Sequence, residues 1–270
     1  MQLRKQEGIT KQQTMKLAFI QTQIKDFQIE TNYLHFQSLL EKIDNDTDLL
    51  VLPEMFLTGF TADTSLAKES KEKGVSLMQK FVEEKGIAIE GSLIVEDNGK
   101  YFNRHYAVLP NETKYYDKIH LFSLSDEAKH LSKGQNKDVV FSHKGFNIKM
   151  LTCYDLRFPL VSMNRIFDEK PLYDILIYVA SWPKSRREQW LTLLKARAIE
   201  NNSFVLGVNR IGEDGVGVEY SGDSVLFNSK GQEITATHIV ENAIHYFEIN
   251  KDDLDLARQK FPTWKDWDKI

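Results

Sequence analysis

Three separated segments each end a largely apolar run with a side chain capable of covalent chemistry. KMLTCYDLRFPL places Cys153, the chain's only cysteine, just after the run Ile148 to Leu151. LLVLPEMFLTGF sets Glu54 directly behind Val51, Leu52 and Pro53, and KYYDKIHLFS sets Lys118 behind an aromatic-rich run. A thiol, a carboxylate and an ammonium suffice for acyl transfer. Sulfur attacks a carbonyl, the carboxylate takes and returns the proton, and the ammonium meets the developing oxyanion. Each residue also has a plainer reading. Free cysteines are among the most buried residues and often only pack. Glu54 could be a helix cap or a surface charge at a strand end, and Lys118 a solvated cation.

These side chains need strands to deliver them. KLAFIQ (16–21), DLLVLPEM (48–55, ending at Pro53) and FNIKMLTC (146–153) read as strands. So do IAIEGSLIVED and YFNRHYAVLP, separated by Asn98 and Gly99, and TKYYDK, DVVFSH and YDILIYVASWP. SFVLGVNR, GDSVLFN, EITATHI and NAIHYFEI complete the set. Helical spacing covers 30–43 through Tyr33, Phe36, Leu40 and Ile43, then 75–84, 156–168 and 185–201, the last with Trp190, Leu194 and Ala198 on one face. Alternating strands and helices predict an α/β layered sandwich. In such sheets strand C-termini converge on one edge, where sites form. Cys153 would sit where a strand hands over to a helix, and helix-terminal N–H groups there favour a thiolate.

Composition narrows the field further. The 270 residues are 41% hydrophobic, with 35 basic against 39 acidic side chains and a net charge of -4, and no block of like charge. Neither a nucleic-acid nor a membrane partner is expected. A single cysteine excludes an intrachain disulfide, and the polar start MQLRKQEGITKQQT lacks a signal-peptide core, so a cytoplasmic protein is expected. With no linker rich in Pro, Gly or Ser, residues 15–270 read as one domain and residues 1–14 as a flexible extension. The seven histidines lack paired metal-site spacing, and GEDGVG does not follow a strand into a helix, so neither a metal nor a nucleotide is expected. Asp155 and Arg157 are expected to pair, or to cap the following helix and stiffen the turn at Cys153.

Taken together, LPEMFLTGF, YDKIHLF and CYDLRFP resemble, in that order, the Glu-Lys-Cys motifs of the nitrilase, or carbon–nitrogen hydrolase, superfamily, and the likeness runs over residues 15–262. The resemblance implies a four-layer α-β-β-α sandwich, catalytic Glu54, Lys118 and Cys153, no cofactor and a homodimer joined through the helices near 156–168 and 187–201. DEAKHLSKG resembles the segment that carries the superfamily's second glutamate, making Glu127 the assisting carboxylate. The stretch before it is shorter than in many members, and Asp126 stands beside it. SWPKSRREQWLTLLKARAIEN, VNRIGEDGVGVEYSGDS and RQKFPTWKD are similar to the omega-amidase branch. That branch hydrolyses the terminal amide of 2-oxoglutaramate or 2-oxosuccinamate, so the resemblance implies a cationic clamp for a carboxylate. Arg186 matches the branch's arginine, while Trp182 and Tyr154 are candidate pocket walls. KSRRE could equally be a solvated helix start, and both aromatics could be core. The competing functions are hydrolysis of N-carbamoyl amines or other aliphatic amides by the same residues, and a non-catalytic binding module on the same scaffold.

Overall fold

The structure, a computed structural model, describes residues 13–234 and 243–268. Its layering follows from the pleat of β1 (Thr14–Gln21). Met15, Leu17 and Phe19 face one core, Ala18 and Ile20 face another, and all five are buried. After β1 come α1 (Ile29–Leu40), β2 (Leu49–Val51), α2 (Ala67–Lys85), β3 (Ala88–Asp97), β4 (Lys100–Val108) and β5 (Thr113–Asp117). β1, β2 and β3 are parallel, and the β3–β4–β5 meander extends the sheet antiparallel. Asn98 and Gly99 form the β3–β4 turn at φ 52° and 73°, the positive dihedrals that a two-residue hairpin turn needs.

The second half repeats the plan. It contains α3 (Glu127–His130), β6 (Val140–His143), β7 (Phe146–Thr152), α4 (Pro159–Ser162), β8 (Ile166–Phe167) and β9 (Lys170–Pro171). Then come β10 (Ile175–Ala180), α5 (Arg187–Glu200), β11 (Phe204–Asn209), β12 (Ile211–Glu213), β13 (Glu219–Ser221) and β14 (Val225–Phe227). β15 (Ala243–Asn250) and α6 (Lys251–Lys260) close the chain. One sheet runs β15-β1-β2-β3-β4-β5 and the other β14-β11-β10-β7-β6. Their facing sides share a core in which Leu17, Phe19 and Val51 meet Ile148, Met150 and Val179. Outside the first sheet, Phe36 and Leu40 of α1 and Met78 and Phe81 of α2 cover Ala18, Ile20 and Leu93. Outside the second, α5 presents Trp190, Leu194 and Ala198 to it. Burying Leu194 alone contributes about 1.5–3 kcal/mol. The result is the α-β-β-α sandwich.

Some expectations need correction. The helix at 75–84 begins at Ala67, because Gly74 does not end it. A Cβ there would lie 2.5 Å from Leu93, so the glycine lets α2 approach β3 closely. The helix expected over 156–168 is absent. Cys153–Arg157 form a 3₁₀ turn and α4 ends at Ser162. Phe158 is extended before Pro159, and the Asn164 side chain binds the backbone of Arg165 and Tyr173, competing with helix continuation. Asp168 and Glu169, both at positive φ, turn the small β8–β9 hairpin. Any subunit contact expected on that helix would fall on this irregular segment instead. Thr14 already pairs with Asn250 inside the first sheet, so the expected extension does not reach it. Residues 1–12, most of that extension, and most of EITATHI (235–239) lie outside the described residues. Among the described residues, no helix is long and apolar enough to cross a membrane.

Candidate active site

The backbone bends sharply where two of the candidate side chains emerge. Cys153 adopts φ 43° and Met55, next to Glu54, φ 46°. A left-handed conformation costs a residue with a side chain about 1–2 kcal/mol, so the surroundings must hold it in place. At Cys153 the holding group is Asp155, fully buried. Its carboxylate accepts from Thr152 N at 3.2 Å, Tyr116 Oη at 2.8 Å and His120 N at 2.9 Å. Asp155 therefore stiffens the turn as expected, but it does not pair with Arg157. At Glu54, Met55 N donates to Ser92 Oγ at 2.9 Å, and the Met55 carbonyl accepts from Thr58 N and Gly59 N.

The structure brings the predicted residues together. Lys118 Nζ, directly after β5, lies 3.0 Å from Glu54 Oε1 and 2.9 and 3.0 Å from the two Glu127 oxygens. All three side chains are fully buried. Glu127 opens α3, and its Oε2 also accepts from Phe122 N at 2.6 Å. Asp126 is exposed and pairs with Lys129, so Glu127 is the carboxylate that reaches the cluster. Glu54 Oε2 accepts from Ser181 N at 2.7 Å, beyond the end of β10. Cys153 is 8% exposed and opens with Lys118 onto the same cavity. Among the described residues, no group of three or more His, Cys, Asp or Glu is arranged to hold a metal.

Burial alone would lower the Lys118 ammonium, but Glu127 and Glu54 outweigh it and hold the charge above its ordinary range. Burial pushes the Cys153 thiol well up and the Glu54 charge adds to this, while Lys118 and the Ser181 N–H oppose it. The N–H groups expected there to favour a thiolate are thus opposed by burial and by the Glu54 charge. Only a short 3₁₀ turn follows Cys153, and desolvation beside a carboxylate outweighs it.

The cavity measures about 470 Å³ and is walled by Phe60, Phe122, Tyr154, Trp182 and Tyr220. A larger hollow of about 1010 Å³ lies between the β8–β9 turn and α6 and contains none of these groups. Arg186 lines the cavity of Cys153 with its guanidinium 5.6 Å from the centre of the Phe122 ring. Arg157 lines it too, 4.7 Å from the Trp182 ring, and binds only Gln189 Oε1 at 2.6 Å. Every other arginine among the described residues has a carboxylate partner: Arg104, Arg165, Arg187, Arg197, Arg210 and Arg258. The two unpaired guanidiniums thus both face the cavity of Cys153. Sequence reasoning missed this use of Arg157, and it also missed Asn103, which donates to Glu54 and Glu127 from inside β4. The available signal was a polar residue within an otherwise buried strand. GEDGVG turns the β12–β13 hairpin, which places Val216, Val218 and Tyr220 along the cavity.

The chain is similar to known proteins along most of its length. The family described as carbon-nitrogen hydrolase matches residues 16–259. Omega-amidase YafV of Escherichia coli (strain K12) is 38% identical over 258 residues, covering 95% of this chain and 98% of that protein. The 2-oxoglutaramate amidase of Bacillus subtilis (strain 168) is 34% identical over 233 residues, covering 84% and 87%. The crystal structure of XC1258 from Xanthomonas campestris, a CN-hydrolase superfamily protein with an arsenic adduct in its active site, superposes with a TM-score of 0.90. It is 32% identical and covers 95% of this chain and 98% of its own. With the family model spanning most of the chain and these relatives covered nearly end to end, the chain belongs to the carbon–nitrogen hydrolase family.

Proposed function

We propose that the protein hydrolyses the terminal amide of 2-oxo dicarboxylic acid monoamides, such as 2-oxoglutaramate and 2-oxosuccinamate, through a thioester on Cys153. Glu54 takes the thiol proton as sulfur attacks the amide carbonyl. Of the three N–H groups on Lys118, one serves Glu54 and one can bifurcate between the Glu127 oxygens, which leaves the third for the oxyanion. The backbone N–H of Tyr154 is the second oxyanion donor. When the tetrahedral intermediate collapses, Glu54 returns the proton to nitrogen, the C–N bond breaks and ammonia leaves. Water, deprotonated by Glu54, then attacks the thioester, releasing the 2-oxo acid and restoring the thiol. Glu127 keeps the ammonium charged and in place throughout.

The observation that carries the substrate class is the pair of unpaired guanidiniums in the cavity. Arg186 and Arg157 would hold the distal carboxylate, with Trp182, Tyr154 and Phe122 walling the aliphatic part. The named relatives support the same class. A charge-assisted pair of this kind contributes about 1.5–3 kcal/mol, so Arg186→Ala should lower kcat/KM on 2-oxoglutaramate roughly ten- to a hundredfold. Propionamide, which has no carboxylate, should be nearly unaffected. Ammonia release from both substrates reads the contrast directly. Equal loss on both would indicate a folding defect, and no loss on either would take Arg186 out of the site. If N-carbamoyl amines released ammonia and 2-oxoglutaramate did not, the substrate assignment would move to that class.

A further inference from the structure

The geometry points to Asn103 as a positioning residue that holds the two carboxylates of the site in their working arrangement around Lys118. This inference rests on Glu54 being the base. Asn103 is fully buried on β4. One N–H of its amide reaches Glu54 Oε1 at 2.7 Å and the other reaches Glu127 Oε1 at 3.1 Å. Its backbone carbonyl accepts from Lys118 N at 3.0 Å. A single residue outside the predicted set therefore touches all three charged members of the cluster.

The charge count shows why such a bridge matters. Two carboxylates meet one ammonium in a site closed to water, so their oxygens depend on fixed donors. A neutral side chain with two N–H donors serves both carboxylates without adding charge. Only one orientation of the amide does so, because exchanging nitrogen and oxygen would aim a carbonyl at both carboxylates. The fold tolerates a cost for this arrangement. Asn103 Oδ1 is buried and has no hydrogen-bond donor, a penalty that an apolar side chain of the same shape would avoid. The titratable groups facing Glu54 are Lys118 after β5, Glu127 on α3 and Cys153 after β7, and Ser181 N is its remaining donor.

Losing Asn103 Nδ2 takes one donor from each carboxylate and frees Glu54 to leave its place beside Lys118. Asn103→Leu, close in shape but without donors, should lower kcat roughly ten- to a hundredfold with little change in KM. Asn103→Ser shortens the side chain and breaks the same two bonds. It should show the same loss in kcat and is the variant to read if the leucine protein does not fold. A kcat that stays near the wild-type value in the folded variants, or a change in KM alone, would overturn the inference and leave Asn103 a packing residue. Glu54→Gln, measured in parallel, separates the two ideas. If it stays active, the base assignment fails. If it is inactive and the Asn103 variants keep their kcat, only the role of Asn103 fails.

Discussion

Cys153→Ala should yield a folded protein with amide hydrolysis reduced roughly 10⁴-fold or more. The turn at residue 153 does not depend on sulfur. The bonds from Asp155 to Thr152, Tyr116 and His120 remain, and alanine is strained no more than cysteine at φ 43°. Removing one buried sulfur costs about 1 kcal/mol of packing, small against the stability of a domain this size. Chemistry loses far more, because no thioester can form. Ammonia release by purified variant, with circular dichroism and a thermal melt to confirm folding, checks this. Retention of more than about a tenth of wild-type activity would remove Cys153 from the reaction.

Glu54→Gln should be nearly as damaging, with a loss in kcat of about 10²–10⁴-fold or more. The amide keeps the shape of the carboxylate but cannot accept the thiol proton. It also meets a mismatch of its own. Oε1 accepts from Asn103 and Lys118 and Oε2 from Ser181 N, so either orientation of the glutamine aims its NH₂ at donors. Burial and the Glu54 charge both push the Cys153 thiol up, so attack by sulfur depends on a nearby proton acceptor. Steady-state kinetics discriminate here. A rise in KM with kcat unchanged would make Glu54 a ground-state contact rather than the base.

Much of this site was legible because its residues sit where apolar runs stop. Glu54, Lys118 and Cys153 each follow a strand core, but each also had a plainer reading there, and it was the three motifs in order, resembling one family, that favoured chemistry. Glu127 was legible only through resemblance, since its segment DEAKHLSKG is mostly polar and its two apolar residues, Ala128 and Leu131, do not mark Glu127 as buried. Asn103 was hidden because its neighbours FNRHY mix polar and aromatic residues, and nothing local shows which side faces the cluster. Ser181 contributes a backbone N–H, which no side-chain pattern reveals. In the fold, strands and the long helices followed from period and burial. The helix expected at 156–168 failed because its apolar spacing was overridden by Pro159 and by the Asn164 side chain bonding to the backbone. Arg157 was assigned to Asp155 by proximity in sequence, whereas Asp155 is already saturated by Tyr116, His120 and Thr152.

The thioester on Cys153 is the step on which the rest depends, and trapping it tests the account most directly. Enzyme mixed with 2-oxoglutaramate in the presence of hydroxylamine should divert the acyl group to the hydroxamate while ammonia release continues. Acid quenching on the millisecond scale, followed by peptide mass analysis, should place the acyl group on Cys153 and find none in Cys153→Ala. Sustained ammonia release with no hydroxamate at any hydroxylamine concentration, and no adduct on Cys153, would contradict the covalent route and with it the roles given to Glu54 and Lys118.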